Sequence, residues 1–282
     1  MVDAGRRGLR GRWEPLIPGE SGGMRTGFRK AWTREETIVA LGLYFQIPFG
    51  KINQTTPEVI EIAGLLGRTP SSLSMKMGNI GRLDPALAMR GIRGLKNGAE
   101  MEEVVWNEFA DDRERLAQEF DALMKAYKRG KPAATADDEQ LKTPPGLDGV
   151  RLAKYRVNQS FFRGAVLSAY GNACCITGLS TPSLLIASHI KPWARCENGN
   201  ERTFVSNGLC LNSLHDRAFD QGLFTLDDDY RIVLSRSIRE ALPRETIASY
   251  FTRYEGNAIA LPSRAKPDQS FLAYHREYVF AG

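Results

Sequence analysis

Apolar residues recur at helical spacing near the start of the chain, and the polar residues around them mark the ends of a helix. Thr33 with Glu36 has the T-x-x-E spacing of a capping box, which satisfies two backbone N–H groups at a helix N-terminus. Apolar positions continue from Ile38 until Pro48, which cannot continue a helix. The pattern therefore predicts a first helix that begins near Ala31 and ends before Pro48.

Two shorter helical segments follow, each with a threonine and a proline at its start. Thr56-Pro57 opens the first, which Gly67 ends, and Thr69-Pro70 opens the second only a short turn later. Two helices joined by a tight turn have the outline of a helix-turn-helix. We expect the second of these helices to contact DNA through Lys76, Asn79 and Arg82. The alternative is that the helices form a structural or dimerising bundle that binds no nucleic acid.

The segment "WTREETIVALGLYF…EIAGLLGRTPSSLSMKMGNI" also resembles Myb-like and other bacterial three-helix DNA-binding modules, in its Trp-and-acid opening and its "A-x-x-L-G-R-T" turn. Residues 101–128 then carry an apolar stripe that predicts one long amphipathic helix, the first place to look for a homodimer contact. Residues 129–149 are rich in Pro, Gly, Ala and charge, which is typical of a linker between domains.

The second half alternates between helical and strand-like patterns. A helix is predicted from near Val150, followed by the strand-like runs "CCITG" and "LLIASHI". "LFTLDDDYRIVLS" predicts a hairpin whose turn is the acidic run, and a last helix is expected over about 243–254.

Charge and composition restrict the class of protein. The net charge is +5, and residues 1–34 alone hold seven Arg and one Lys against three acids. The basic Gly-rich arm at 1–30 suits contact with a phosphate backbone, unless it is only a flexible tail or translation begins at Met24. No apolar run reaches the roughly 18 residues of a membrane span, and none of the four cysteines forms C-x-x-C. We therefore expect a cytoplasmic protein with buried free thiols and no membrane contact.

The second half also contains the residues that suit phosphodiester chemistry. The run "C-x-T-G…L-L-I-A-S-H-I-K-P-W-A…N-G-L-C-L-N-x-L-H-D-R-A-F-D-Q-G-L-F" resembles the HNH endonuclease family, and within it the restriction-endonuclease branch, over roughly 150–280. The resemblance implies a ββα-metal fold and a general base, His189, at a strand end. The unperturbed pKa of histidine, about 6.5, suits that role. Asn207 would hold the following loop or orient the His189 ring, and His215 would assist the reaction, contact phosphate or serve as an alternative ligand.

A metal site is expected on the helix that carries "HDRAFD". Asp216 and Asp220 are four residues apart, so on a helix of about 100° per residue their carboxylates share a face. All-oxygen ligation favours Mg²⁺ or Mn²⁺ over zinc. Many family members place a metal ligand directly before the base, where this chain has Ser188, so weak metal binding is expected. Further DNA contacts are expected from Lys191, His275 and Arg276.

These observations together predict an α+β protein. The expected order is a basic arm (1–30), an all-α helix-turn-helix-like module (31–128), a linker (129–149) and a C-terminal ββα-metal nuclease domain (150–282). The expected activity is metal-dependent hydrolysis of DNA. The alternatives are a non-catalytic DNA-binding or regulatory protein on a degenerate HNH scaffold, and a nuclease gated through the helical module.

Overall fold

A computed structural model describes residues 31–92, 100–129 and 149–282 of the chain. The expected basic arm (1–30), with its alternative start at Met24, and residues 130–148 of the expected linker lie outside these ranges. None of the helices within them combines the length and the apolar content that crossing a bilayer requires. Trp32–Gly282 clusters as one compact unit.

The first part of this unit is helical. The capping box at the start of the first helix is confirmed, because the Thr33 side chain accepts from Glu36 N and the Glu36 side chain accepts from Thr33 N. The two Thr-Pro starts and the stop at Gly67, whose φ is +64°, are also confirmed. The helices are α1 (Arg34–Gln46), α2 (Pro57–Leu66), α3 (Pro70–Gly81), α4 (Pro85–Met89), α5 (Glu100–Phe109) and α6 (Arg113–Lys128).

The single helix expected over 101–128 is wrong: the structure has α5 and α6 in its place. The break falls after Phe109, and Asp112 begins the new helix by accepting a hydrogen bond from Arg115 N through its side chain. Asp competes for backbone N–H groups and so favours a helix start over a helix interior. Phe109 and Leu116, on either side of the break, are both fully buried in the helical core.

The second part contains two small antiparallel sheets, β1 with β2 and β3 with β4. "CCITG" is a turn with Gly178 at φ +72° and not a strand, and the sequence around His275 forms an additional helix. The elements are α7 (Gly149–Ala169), β1 (Leu185–His189), α8 (Gly199–Thr203), β2 (Gly208–Asn212), α9 (Ser213–Asp220), β3 (Phe224–Leu226), β4 (Ile232–Leu234), α10 (Arg236–Arg239), α11 (Arg244–Tyr250) and α12 (Gln269–Tyr278).

Helix α7 belongs to both cores. Phe161 lies in the cluster of the helical part, whereas its neighbour Phe162 lies in the cluster that surrounds β1 and β2. Helices α1 and α6 pack on α7 from one side, and β1 and β2 pack on it as well. Both sets of elements pack on α7. This helix therefore holds β1, the strand that ends at His189, against the helical part.

Candidate active site

Strands β1 and β2 and helix α9 form the ββα unit around the predicted base. The strands pair antiparallel with His189 opposite Gly208 and Leu185 opposite Asn212. Helix α9 begins directly after β2 and packs on both strands. The turn after α9 contains Gly222, where φ is +66° and a Cβ would lie 2.0 Å from the Val279 carbonyl oxygen, so this turn requires glycine. The unit is thus a hairpin-like pair of strands covered by a short helix.

His189 is part-buried among aromatic rings at the end of β1. Its ring stacks on Phe162 at a centroid distance of 3.8 Å and meets Trp193 edge-on at 5.5 Å. Its Nε2 lies 3.0 Å from the Arg202 carbonyl oxygen. Burial lowers the pKa of His189 to about 4, although the hydrogen bond to Arg202 acts in the opposite direction. The ring is therefore neutral near pH 7.

That hydrogen bond assigns the tautomer of His189. A carbonyl oxygen only accepts hydrogen bonds, so Nε2 of His189 must carry the proton. The lone pair then resides on Nδ1. Nδ1 is consequently the ring atom that can accept a proton from water, and the Arg202 carbonyl holds the ring in that state.

Asn207 holds the loop between the two strands. It is fully buried, its Oδ1 accepts from Lys191 N at 2.8 Å, and its Nδ2 donates to the carbonyls of Glu201 at 2.8 Å and Lys191 at 3.2 Å. These bonds join the residues just after β1 to those of α8. The sequence left two roles open for Asn207, holding the loop and orienting the His189 ring. These contacts are the ones expected of a residue that holds the loop.

His215 is also inside the fold, with 1% of its surface exposed. Its Nδ1 accepts from Asn212 at 2.9 Å, and its Nε2 donates to the Tyr250 carbonyl at 2.7 Å. His215 thus joins α9 to neighbouring segments, and both of its ring nitrogens are occupied.

The two carboxylates expected to bind metal lie on the outer side of α9. Asp216 is part-buried and Asp220 is exposed, whereas Ala218 and Phe219 between them face the core. Ser188 is 3% exposed, and its hydroxyl has no hydrogen-bond partner among the described residues. Within 31–92, 100–129 and 149–282, no three His, Cys, Asp or Glu side chains converge as metal ligands would.

Two of the three side chains of α3 that were expected to contact DNA, Lys76 and Arg82, pair with carboxylates of the helical part. Lys76 is 2% exposed and forms an ion pair with Glu102 at 2.7 Å. Arg82 is part-buried and bonds Glu103 at 2.8 Å, and Asn79 is part-buried. A buried ammonium paired with a carboxylate presents no net charge to phosphate, so Lys76 stabilises the packing of α3 on α5.

The three side chains of the second half that were expected to contact DNA also have partners within the fold. Lys191 is buried, and its Nζ lies 3.0 Å from Glu201. His275 is 1% exposed, with Thr225 Oγ1 at 2.9 Å from Nδ1 and the Phe219 carbonyl at 3.2 Å from Nε2. Arg276 donates to the Leu226 carbonyl and to Asp228. His275 therefore lies inside the fold and offers no imidazole to a ligand.

Sequence reasoning did not find the aromatic surroundings of His189. Phe162 and Tyr155 come from α7, and Tyr155 meets Trp193 edge-on at 4.9 Å. No local pattern joins a helix to a histidine some 30 residues later, because the contact depends on how α7 packs against β1. Trp193 lies within the run that resembles the HNH family, but nothing in the sequence identifies it as a neighbour of the His189 ring.

The comparisons with known proteins concern this same region. Residues 174–227, which contain β1, β2 and α9, match a family model described as HNH endonuclease. One solved structure, described as "Modification dependent TagI restriction endonuclease", aligns with a TM-score of 0.28 and 20% identity over 43% of this chain. The alignment spans 38% of that enzyme's chain. No curated protein matches the sequence significantly.

Proposed function

With an HNH endonuclease domain at residues 174–227, we propose that the protein is a metal-dependent DNA endonuclease of the restriction or defence type. The observation that carries the proposal is the state of His189. It ends β1 of a ββα unit, it is neutral, and the Arg202 carbonyl leaves Nδ1 as the proton acceptor. A histidine held in one tautomer at such a position suits deprotonation of the water that attacks a phosphodiester.

A divalent metal is the cofactor that the family implies, and the donor set fits Mg²⁺ or Mn²⁺ better than zinc. Zinc takes four protein ligands in structural sites and three in catalytic ones, and no such group of side chains converges in the described residues. Mg²⁺ is commonly held by one or two carboxylates, water and substrate phosphates. Asp216 and Asp220, one helical turn apart on α9, would hold it. Such an ion supplies positive charge for the phosphate and the leaving 3′ oxygen.

Ser188 determines how tightly that ion is held. Its hydroxyl is buried and has no hydrogen-bond partner in the described part of the chain. Where related nucleases have a charged or imidazole ligand before the base, this chain has a neutral oxygen. Binding of metal in the absence of DNA is therefore expected to be weak, with the substrate phosphate completing the coordination.

Cleavage of plasmid DNA with Mg²⁺ or Mn²⁺ tests the proposal, with methylated and unmethylated DNA in parallel. We expect nicked or linear products bearing 5′-phosphate and 3′-hydroxyl ends, and we expect His189→Ala to abolish them. Asp216→Asn with Asp220→Asn should raise the metal concentration needed for half-maximal rate at least tenfold. The matched control is Glu245→Gln, an exposed carboxylate on α11. Cleavage that persists in His189→Ala refutes the mechanism.

The second candidate is a DNA-binding or regulatory protein that does not cleave. Ser188 in place of a metal ligand, together with the involvement of both His215 nitrogens in packing, favours it. This candidate predicts a gel shift in EDTA and no cleavage of any DNA, modified DNA included, across a metal series. The homodimer expected from the sequence also stays a prediction, tested by sedimentation of the protein with and without DNA.

A further inference from the structure

One long stretch of the chain carries cations and no carboxylates. Residues 149–196 contain six Lys and Arg and neither Asp nor Glu, although Asp and Glu make up 33 of the 282 residues. The stretch includes α7, β1 and the first part of the loop after His189. An acid-free cationic segment next to the proposed base suits contact with a nucleic acid.

The aromatic rings around His189 extend outward along α7. Tyr155 and Phe162 are seven residues apart, so they share one face of the helix about 10 Å apart. Phe162 stacks on His189, and Tyr155 meets Trp193, which itself meets His189. Tyr155 and Trp193 are both part-buried. The rings thus form a continuous row from the proposed base to the surface.

Three exposed arginines lie within a few residues of Tyr155 or Trp193 in the sequence. Arg151 lies one helical turn before Tyr155 on the same face of α7, Arg156 follows Tyr155, and Arg195 lies two residues after Trp193; all three are exposed. Of the two lysines in the stretch, Lys154 is exposed and pairs with Glu114, and Lys191 is buried and pairs with Glu201. The arginines therefore provide most of the exposed positive charge beside the rings.

We propose that this surface, the α7 platform, binds an unpaired DNA strand and directs it towards His189. The platform consists of Arg151, Tyr155, Arg156, Trp193 and Arg195. Its arginines contact successive phosphates, and a base stacks against the Tyr155–Trp193 pair. Proteins that bind single strands combine a cationic track with aromatic rings in this manner. The strand is unpaired because the base faces in a duplex are already stacked on their neighbours. This inference rests on the proposed function and specifies its substrate contacts.

Binding measured without cleavage tests the platform. Fluorescence anisotropy of a labelled oligothymidylate in EDTA reports affinity whether or not the protein cuts DNA. We expect Tyr155→Ala to weaken binding about tenfold, the size of one lost base stack, and Tyr155→Phe to bind like the wild type. Thermal melting of each variant checks folding. Equal binding by Tyr155→Ala and the wild type, or equal loss in Tyr155→Ala and a correctly folded Tyr155→Phe, overturns the stacking role.

Removing the positive charge of the three arginines tests whether they contact phosphates. Replacing Arg151, Arg156 and Arg195 with Gln should weaken binding and lower the salt dependence of log K by about two, since each phosphate contact on a single strand contributes about 0.7. The matched control replaces Arg236, Arg244 and Lys266, three exposed cations outside the stretch, with Gln. Equal loss in the two triple variants, or tighter binding of a blunt duplex than of the single strand, overturns the platform. Retained binding without cleavage by any metal refutes the proposed function alone.

Discussion

At the scale of single residues, the proposed chemistry depends on the environment of one imidazole. His189 is stacked on Phe162, bonded at Nε2 to the Arg202 carbonyl, and kept neutral by burial. The sequence predicted His189 as the base through the resemblance of its surroundings, with Asn207 and the "HDRAFD" helix, to HNH endonucleases. The tautomer could not be predicted, because it depends on a carbonyl 13 residues away that α8 brings beside the ring.

The pH dependence of cleavage should reflect this burial. A base acts only while unprotonated, and the pKa of His189 is lowered to about 4, so the rate should stay level from neutral pH to about pH 5 and fall below that. Initial rates at saturating metal measure this, with circular dichroism at each pH to confirm that the protein is folded. A fall centred near pH 6.5, the ordinary pKa of histidine, would contradict the assignment.

Stability should depend on pH through a different histidine. His275 is 1% exposed, and burial lowers its pKa to about 4, whereas in the unfolded chain it binds a proton near pH 6.5. The unfolded state therefore holds more protons between these values, so stability falls as the pH falls from 6.5 to 4. In urea unfolding, we expect His275→Gln to be less stable at pH 7.5 and to lose less on acidification. Parallel losses in wild type and variant would rule out His275 as a cause.

At the scale of elements, local chemistry predicted helix starts better than helix continuity. The capping box of α1 and the acidic turn between β3 and β4 follow from residues within four positions, and both are confirmed. The break between α5 and α6 was missed because the apolar stripe continues across it, while a single residue, Asp112, starts the new helix. The strand expected at "CCITG" is a turn because Gly178 takes a positive φ, which apolar content does not reveal.

The loop between β1 and β2 should depend on Asn207 more than on any exposed polar residue within it. Asn207→Ala leaves the backbone groups of Lys191 and Glu201 without their partner in a buried place, at a cost of roughly 2 kcal/mol or more. We expect a lower urea midpoint and faster proteolysis at 191–206. Asn198→Ala, which removes the exposed cap of α8, is the control. A smaller loss in Asn207→Ala than in Asn198→Ala would show that the loop is held elsewhere.

At the scale of the molecule, the contacts between the helical part and the region around the HNH match could not be predicted from the sequence. Trp32–Gly282 is one compact unit in which α7 contributes to both cores. Arg264, near the C-terminus, donates to the carbonyls of Tyr44 and Ile47 at the end of α1 and stacks over the Tyr44 ring at 4.2 Å. Residues about 220 apart have no local pattern that pairs them.

The Arg264 contact makes cooperative unfolding of the two parts testable. Arg264 is 6% exposed and lies 3.9 Å from Asp84, so Arg264→Ala removes two buried hydrogen bonds and leaves Asp84 without this nearby positive charge. We expect a loss of roughly 3 kcal/mol, with one calorimetric transition in the wild type. Arg90→Ala is the matched control, because Arg90 also bonds across the same junction, to the Ser263 carbonyl, but from an exposed position. A gated nuclease whose parts separate easily requires the opposite result: two transitions in the wild type, and little difference between Arg264→Ala and Arg90→Ala.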